Sequence, residues 1–234
     1  DIGANDGSWL DCFRSHGCDV LAVEPAPHPA RIASGKGIPV VQDYFSVEKV
    51  RASGLLNQAP SVVSMNYVFA NIPDPLETLR GIAAISDEKT VISVLTGYHP
   101  AQLAVGMFDY VYHEHVAYFS CRDFVRMADS IGLTVTYARE IPLKGGSIHI
   151  EMQRTSPGCE QSSLFSTMLK REAWLDDPHG VQWREIAARI QSTRDEIGAA
   201  IMAARREELP VIGYGASHST TTLLYALGIE TAIN

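Results

Sequence analysis

Two runs in this chain have residue types and spacing suited to chemistry. The first opens the sequence: Asp1-Ile2-Gly3-Ala4-Asn5-Asp6-Gly7, with Glu24 following 21 positions after Gly3. A glycine turn lets a ligand approach the backbone closely, and the helix behind it offers unpaired N–H groups. An acid about 20 positions further on can accept hydrogen bonds from ribose hydroxyls. Asp43, after the next apolar run, is placed to meet an adenine amino group, and Asn66 closes the strand beyond it. The second run is Tyr112-His113-Glu114-His115, followed by Tyr118-Phe119-Ser120. Imidazole titrates near neutral pH and can remove a proton beside a carbonyl. A neighbouring carboxylate can hold its tautomer or raise its basicity, and a tyrosine can donate to a developing oxyanion. The competing reading is a domain-joining loop whose polar groups are satisfied by backbone. A metal is not expected, because helical H-E-x-x-H zinc ligands lie four apart and these do not.

The first turn reads G-x-N-D-G, not the G-x-G-x-x-G of dinucleotide sites. S-adenosylmethionine is the expected cofactor: it has no phosphate, and its methionyl carboxylate and ribose would pack at the turn. An NAD-type or nucleotide-sugar binding module is the alternative from another class. It is kept open by a second glycine-rich turn, Gly213-Tyr214-Gly215-Ala216-Ser217.

The elements that must position these residues are legible as a β/α alternation. Asp1-Ile2 reads as the tail of a first strand, and Ser8 to His16 as a helix with Trp9, Leu10 and Phe13 on one face, ended by Gly17. Strands are expected at Val20–Glu24, Ile38–Val41, Ser61–Asn66 and Thr90–Leu95, with a loop at Pro25, Pro27 and Pro29. A helix opens near Asn71–Pro75, where proline is tolerated. Beyond it come a helix over Asp123–Ile131, strands at Thr134–Tyr137 and Ser147–Met152 around Lys144-Gly145-Gly146, and a long helix over Val181–Glu208. In that long helix Ile186, Ile190, Ile197 and Ile201 share a stripe. Val211-Ile212 then reads as a strand opening another nucleotide-type unit. The fold class is α/β, a doubly wound sheet with a further α/β portion.

The formal net charge of −8 argues against a nucleic-acid partner, which needs a basic face. No apolar run reaches the roughly 20 residues of a membrane span and no signal peptide is visible, so a cytoplasmic protein is expected. Cys12, Cys18, Cys121 and Cys159 form no C-x-x-C pair and read as reduced, mostly buried thiols. There is no initiator methionine, and only two residues stand where a full first strand belongs. The expectation is a fragment cut at its N-terminus.

Taken in order, D-I-G-A-N-D-G, V-E-P, N-Y-V-F-A-N-I-P-D, Y-H-E-H-V-A-Y-F-S, G-G-S and G-Y-G-A-S resemble the sugar C-methyltransferases over nearly the whole chain. That family acts on nucleotide-diphosphate keto-sugars. The resemblance implies a Rossmann-like class I methyltransferase domain over 1–120 and an incomplete C-terminal substrate-binding domain over 121–234. The family's small zinc-binding N-terminal domain would be missing. It further implies His115 as the base, Glu114 as its partner and Tyr112 as a nearby active-site group. Asn71, Lys144, Gly145, Gly146 and Ser147 fall on the substrate side. Gly213, Tyr214, Gly215 and Ser217 resemble a turn whose N–H groups serve the nucleotide diphosphate. Three departures stand out: Asn71 and Lys144 replace histidines common in relatives, and His149 stands where arginine is common. They motivate an alternative in which the acceptor is an oxygen on a sugar or small metabolite.

Overall fold

The computed structural model describes residues 1–157 and 163–232; Cys159 lies outside the described residues. Strands β1 (Ala22–Val23) and β2 (Val40–Val41) pair in parallel, as do β3 (Val62–Asn66) and β4 (Val91–Gly97). Strands β5 (Leu133–Ile141) and β6 (Ser147–Arg154) form an antiparallel hairpin, and β6 also runs antiparallel to β4. Asp1 and Ile2 join the two groups. Ile2 bridges Val23 in parallel, Val23 N donates to Asp1 O at 2.9 Å, and Ile2 N donates to Ser64 O at 2.9 Å. Across the molecule the order is β2, β1, Ile2, β3, β4, β6, β5, with β6 reversed. The chain steps outward from Ile2 first to one side and then to the other. In open α/β sheets that reversal opens a crevice beyond the strand ends, where ligands bind.

The core lies along the middle strands. Met65, Phe69, Leu79, Ile82, Val94, Phe124, Ile148, Ile150 and Met152 are fully buried. Each such side chain contributes about 1.5–3 kcal/mol relative to exposure, so this is where the fold's stability is concentrated. Consecutive burial of Val63, Ser64 and Met65 shows that β3 is covered on both faces. Helix α1 (Ser8–Arg14) follows the glycine turn, and α4 (Pro75–Ile85) begins at Pro75 with Asp74 capping Glu77 N. Helix α5 (His99–Ala104) follows β4. Helix α6 (Cys121–Ser130) starts from a capping box between Ser120 and Asp123. The hairpin lies beyond residue 120 yet completes the same sheet, which therefore runs on to Arg154.

Several expectations need correction. The proline-rich stretch is not a loop: Pro27 opens helix α2 (Pro27–Gly35), because a first-turn residue needs no N–H partner. A short helix α3 (Val47–Ala52), capped by Ser46, has no counterpart in the sequence reading. On α1 only Leu10 is buried; Trp9 is 47% exposed and meets Phe13 edge-on across one turn. Val211-Ile212 forms no strand, and Ile212 lies exposed; only the helix of that expected unit is present, α9 (Thr220–Leu227). Cys121 is buried, but Cys12 and Cys18 are exposed. Among the described residues no helix is long and apolar enough to cross a membrane.

The C-terminal part also contains α7 (Ser163–Arg171) and α8 (Val181–Arg206). Ile201 of α8 packs with Leu227 and Ile229 in a small separate cluster, together with Phe108. This cluster seats α9 against the segment that leads into Tyr112–His115.

Candidate functional site

The glycine turn lies at the point where strand order reverses. Gly3, Asn5 and Gly7 all have left-handed backbone, at φ 73°, 51° and 75°. Gly3 N donates to Val23 O at 2.8 Å. A Cβ on Gly3 would lie 2.8 Å from a Val68 methyl, so the turn packs directly on the residues that follow β3. Asp1 Oδ1 accepts from Ser64 Oγ at 2.6 Å and holds the start of the turn to β3. Glu24 is buried, and its two oxygens accept from the amides of Asn5 (2.9 Å) and Ala26 (2.8 Å). Each oxygen keeps a lone pair for a ligand hydroxyl.

Asn66 ends β3 with a buried Nδ2 that has no hydrogen-bond partner among the described residues. Buried donors are almost always paired, so this orphan amide is a candidate partner for a ligand acceptor. The glycine turn, the Glu24 carboxylate and this amide suit the ribose and amino-acid ends of S-adenosylmethionine. Asp43 is less available. It is half-exposed and bound to Lys49 Nζ at 2.6 Å, and that contact, with the Tyr44 amide, holds its carboxyl below the usual range.

A cavity of about 190 Å³ opens immediately beyond Asn66. It is lined by Tyr67, Asn71, Tyr112, Glu114, His115 and Lys144, with Gln102, Tyr110, Gly97, Thr96 and Ala70. Asn71 closes a 3-10 turn, Phe69–Asn71, and a second such turn, Phe108–Tyr110, leads into the Tyr112 run. Ala70 O accepts from Val116 N and Ala117 N, which ties the far end of that run to the first turn. Tyr112 Oη lies 3.0 Å from His115 Nε2 and the rings are 4.3 Å apart. Burial lowers the His115 pKa below the ordinary imidazole value; a backbone hydrogen bond with Tyr110 and the charge of Glu114 oppose the shift. The ring is therefore neutral at pH 7 and able to accept a proton. Burial raises the Tyr112 pKa, which keeps the hydroxyl protonated as a donor.

The residues expected to act are not all together. Glu114 lines the cavity, but its carboxylate pairs with His218 Nδ1 at 3.2 Å rather than with His115. The C-terminal segment brings His218 there, helped by Ser219 Oγ donating to Asp109 and Thr222 Oγ1 donating to Val111 O. Lys144 Nζ sits 3.6 Å from the Tyr67 ring centroid, and Tyr67 Oη is 3.0 Å from the buried Ser147 Oγ. Gly145 and Gly146 face a different cavity of about 500 Å³, shared with Tyr98, Trp174 and Arg189. A Cβ on Gly146 would meet Ala101 at 2.6 Å, so this glycine serves close packing of the turn on α5. Gly213, Tyr214, Gly215 and Ser217 line neither cavity and are exposed; Ser217 N is held locally by Thr220 Oγ1. Tyr67, Tyr110 and Gln102 escaped the sequence reading. Tyr67 directly follows Asn66, but nothing in its residue type announces the left-handed backbone (φ 54°) that turns it into the cavity.

A mixed sheet of this order, with a glycine turn and a buried acid at its reversal point, defines the class I methyltransferase fold. Comparison with solved structures agrees. The mitomycin 7-O-methyltransferase MmcR superposes with a TM-score of 0.51 at 19% identity, over 66% of this chain and 48% of that one. The plantazolicin methyltransferase BpumL, solved with a triazolic desmethylPZN analog and SAH, does so at 0.51 and 11% identity, over 67% and 76%. The chain belongs to the methyltransferase family: residues 1–138 match its methyltransferase domain, and residues 142–233 match the C-methyltransferase C-terminal domain. Its cofactor is S-adenosylmethionine. The C-methyltransferase NovU of Streptomyces niveus is 28% identical over 98% of this chain, and the chain spans about half of that relative's length (54%).

Proposed function

We propose that this chain is the catalytic part of a C-methyltransferase that methylates the carbon beside the ketone of a nucleotide-diphosphate keto-deoxysugar. The observation that carries the reading is a half-buried His115, kept neutral by burial and 3.0 Å from the Tyr112 hydroxyl, in a cavity also lined by Tyr67, the residue that directly follows Asn66. The C-methyltransferase match of the C-terminal part and the likeness to NovU support carbon as the acceptor.

Glu24, Asn66 and the Gly3–Gly7 turn would hold S-adenosylmethionine, which supplies an electrophilic methyl group on sulfonium. His115 accepts the proton from the substrate carbon, and the C–H electron pair moves to form the enolate. Tyr112 positions the imidazole and stays protonated, and Asn71 lines the cavity as a neutral hydrogen-bonding group. The enolate carbon then takes the methyl group, the carbonyl is restored, and His115 returns its proton to water. General-base assistance of this kind contributes typically about 100- to 10,000-fold.

The test is incubation with methyl-labelled S-adenosylmethionine and a set of dTDP-linked 4-keto-deoxysugars. Product NMR then distinguishes a new carbon–carbon bond from a methoxy group. Label in a C-methyl group supports the reading. Label only in a methoxy group selects the oxygen acceptor instead, and no transfer to any keto-sugar sinks both.

A further inference from the structure

The function just proposed leaves a negative oxygen to be stabilised. Among the described residues lining the 190 Å³ cavity, Lys144 is the sole lysine or arginine. Its backbone has φ 51°, a left-handed conformation uncommon for a residue with a Cβ. Facing it, Tyr67 has φ 54°. Two such residues meeting across one cavity form a pattern typical of functional sites, where surrounding structure holds the strain.

The supports are visible. Gln102 Nε2 donates to Lys144 O at 3.4 Å, and Tyr67 N donates to Leu95 O at 2.7 Å. Ser147 ties Tyr67 to the turn that carries Lys144: its Oγ donates to Leu143 O, one residue before Lys144, at 2.9 Å and lies 3.0 Å from Tyr67 Oη. The ammonium rests over the Tyr67 ring, an arrangement that favours the charged form and holds the flexible stem in one place. Lys144 as a whole is exposed, it lines the cavity, and partial burial there lowers its pKa from the ordinary lysine value. Lys144 forms no ion pair with any described carboxylate within 4 Å. It is thus a positioned cation that the fold itself does not neutralise.

We propose that Lys144 is a catalytic residue of this site, its ammonium stabilising the enolate oxygen that forms when His115 takes the adjacent proton, with the Tyr67 ring and Ser147 as its positioning partners. The inference rests on the keto-sugar reading above. In the step, the C–H bond breaks, its proton goes to the His115 imidazole, and the former carbonyl π pair resides on oxygen beside Lys144 Nζ. The oxygen pair then re-forms the carbonyl as the C=C pair makes the new C–C bond and the sulfonium C–S bond breaks, its electron pair remaining on sulfur. Lys144 gives up no proton overall.

The experiment follows two readouts in the full chain: exchange of the α-proton of dTDP-linked 4-keto-deoxysugars in D₂O without the methyl donor, and methyl transfer with it. Lys144→Met removes the charge and keeps the stem. Lys144→Gly suits the left-handed backbone, so a loss there is not a failure to fold. Both variants are expected to slow exchange and kcat by about 100-fold, the usual effect of deleting one oxyanion donor, with KM changed by less than about threefold. Lys144→Arg should retain more activity than either. If the wild-type chain exchanges and methylates while both variants stay within about threefold of it, the Lys144 role is overturned and the keto-sugar reading stands. If KM rises and exchange is unaffected, Lys144 binds ground-state substrate only and the role is again overturned. If the wild-type chain does neither reaction, the keto-sugar reading fails and this role falls with it.

Discussion

Glu24 Oε2 accepts the amide proton of Asn5 at 2.9 Å, while its Oε1 takes that of Ala26 at 2.8 Å. One buried carboxylate therefore fixes both sides of the crevice: the glycine turn that leaves Ile2 and the loop that leaves β1. Glu24→Ala leaves two amides without their acceptor and removes the group proposed to meet ribose. Hydrogen bonds to charged groups are worth about 1.5–3 kcal/mol, so S-adenosylmethionine affinity should fall about 10- to 100-fold. Glu24→Gln, which keeps one acceptor oxygen, should lie between. Calorimetric titration measures both; wild-type affinity in Glu24→Ala would remove Glu24 from cofactor binding.

His115 sets the acid limb of activity. Because burial lowers its pKa, the neutral base survives to lower pH than an ordinary imidazole, and kcat/KM should decline only below pH 6.5, the ordinary value. The same shift has a stability sign. Between the lowered folded pKa and the ordinary unfolded one, the unfolded chain binds more protons, so stability rises with pH across that window. His115→Ala should lower kcat by about 100-fold or more and abolish the limb. A variant that loses rate but keeps the limb would show that another group titrates.

The sequence carried much of this site, for physical reasons that differ by residue. Glu24 and the glycine turn are legible because one backbone geometry requires those residue types at that spacing. The Tyr112–His115 pair is legible because both are local. Tyr67 and Lys144 are far apart in sequence and meet only because β6 pairs with β4, and the left-handed backbone of each has no signature in residue type. Glu114 shows the reverse case: its charge still raises the His115 pKa, but its ion pair is made elsewhere. Adjacency suggested His115 as its partner, but the chain turns it toward His218, about a hundred residues away. The exposed Gly213–Ser217 turn shows that glycine spacing alone does not build a strand: among the described residues Val211-Ile212 pairs with no other strand.

Gly7 and Gly17 separate two costs that glycine substitution usually mixes. Both have left-handed backbone, at φ 75° and 80°. A Cβ on Gly7 would lie 2.5 Å from Ile38 Cδ1 and 3.2 Å from Ala33 Cβ, whereas one on Gly17 would meet nothing within 4 Å. Gly17→Ala should cost only the conformational penalty, about 1–2 kcal/mol. Gly7→Ala adds overpacking of about 1–3 kcal/mol in the cluster of Ala4, Leu10, Ala22 and Ile38. Urea unfolding compares them directly. Equal losses would show that Ile38 moves aside freely.

Glu172 ties the C-terminal part to the catalytic sheet. It is fully buried, and its Oε1 accepts from Tyr98 Oη at 2.8 Å and Cys121 N at 2.7 Å, while Oε2 accepts from Arg122 N at 3.0 Å. The two amides belong to the first turn of α6, where a negative charge is favoured. Tyr98 N in turn donates to Gly146 O, two residues from Lys144, so the clamp reaches the cavity. Glu172→Ala strands three buried donors and should destabilise by about 3 kcal/mol or more, while Tyr98→Phe removes one bond and should cost about 1–2 kcal/mol. Burial raises the Glu172 pKa against the opposing effect of those donors. A raised folded pKa means that the folded chain binds the extra proton, so this contribution is full below the ordinary glutamate range and is lost as pH rises through the folded value. The stability advantage of the wild-type chain over Glu172→Gln should therefore shrink as pH climbs from that range. An advantage that grows with pH would mean that the α6 amides outweigh burial and that Glu172 is held as a carboxylate throughout.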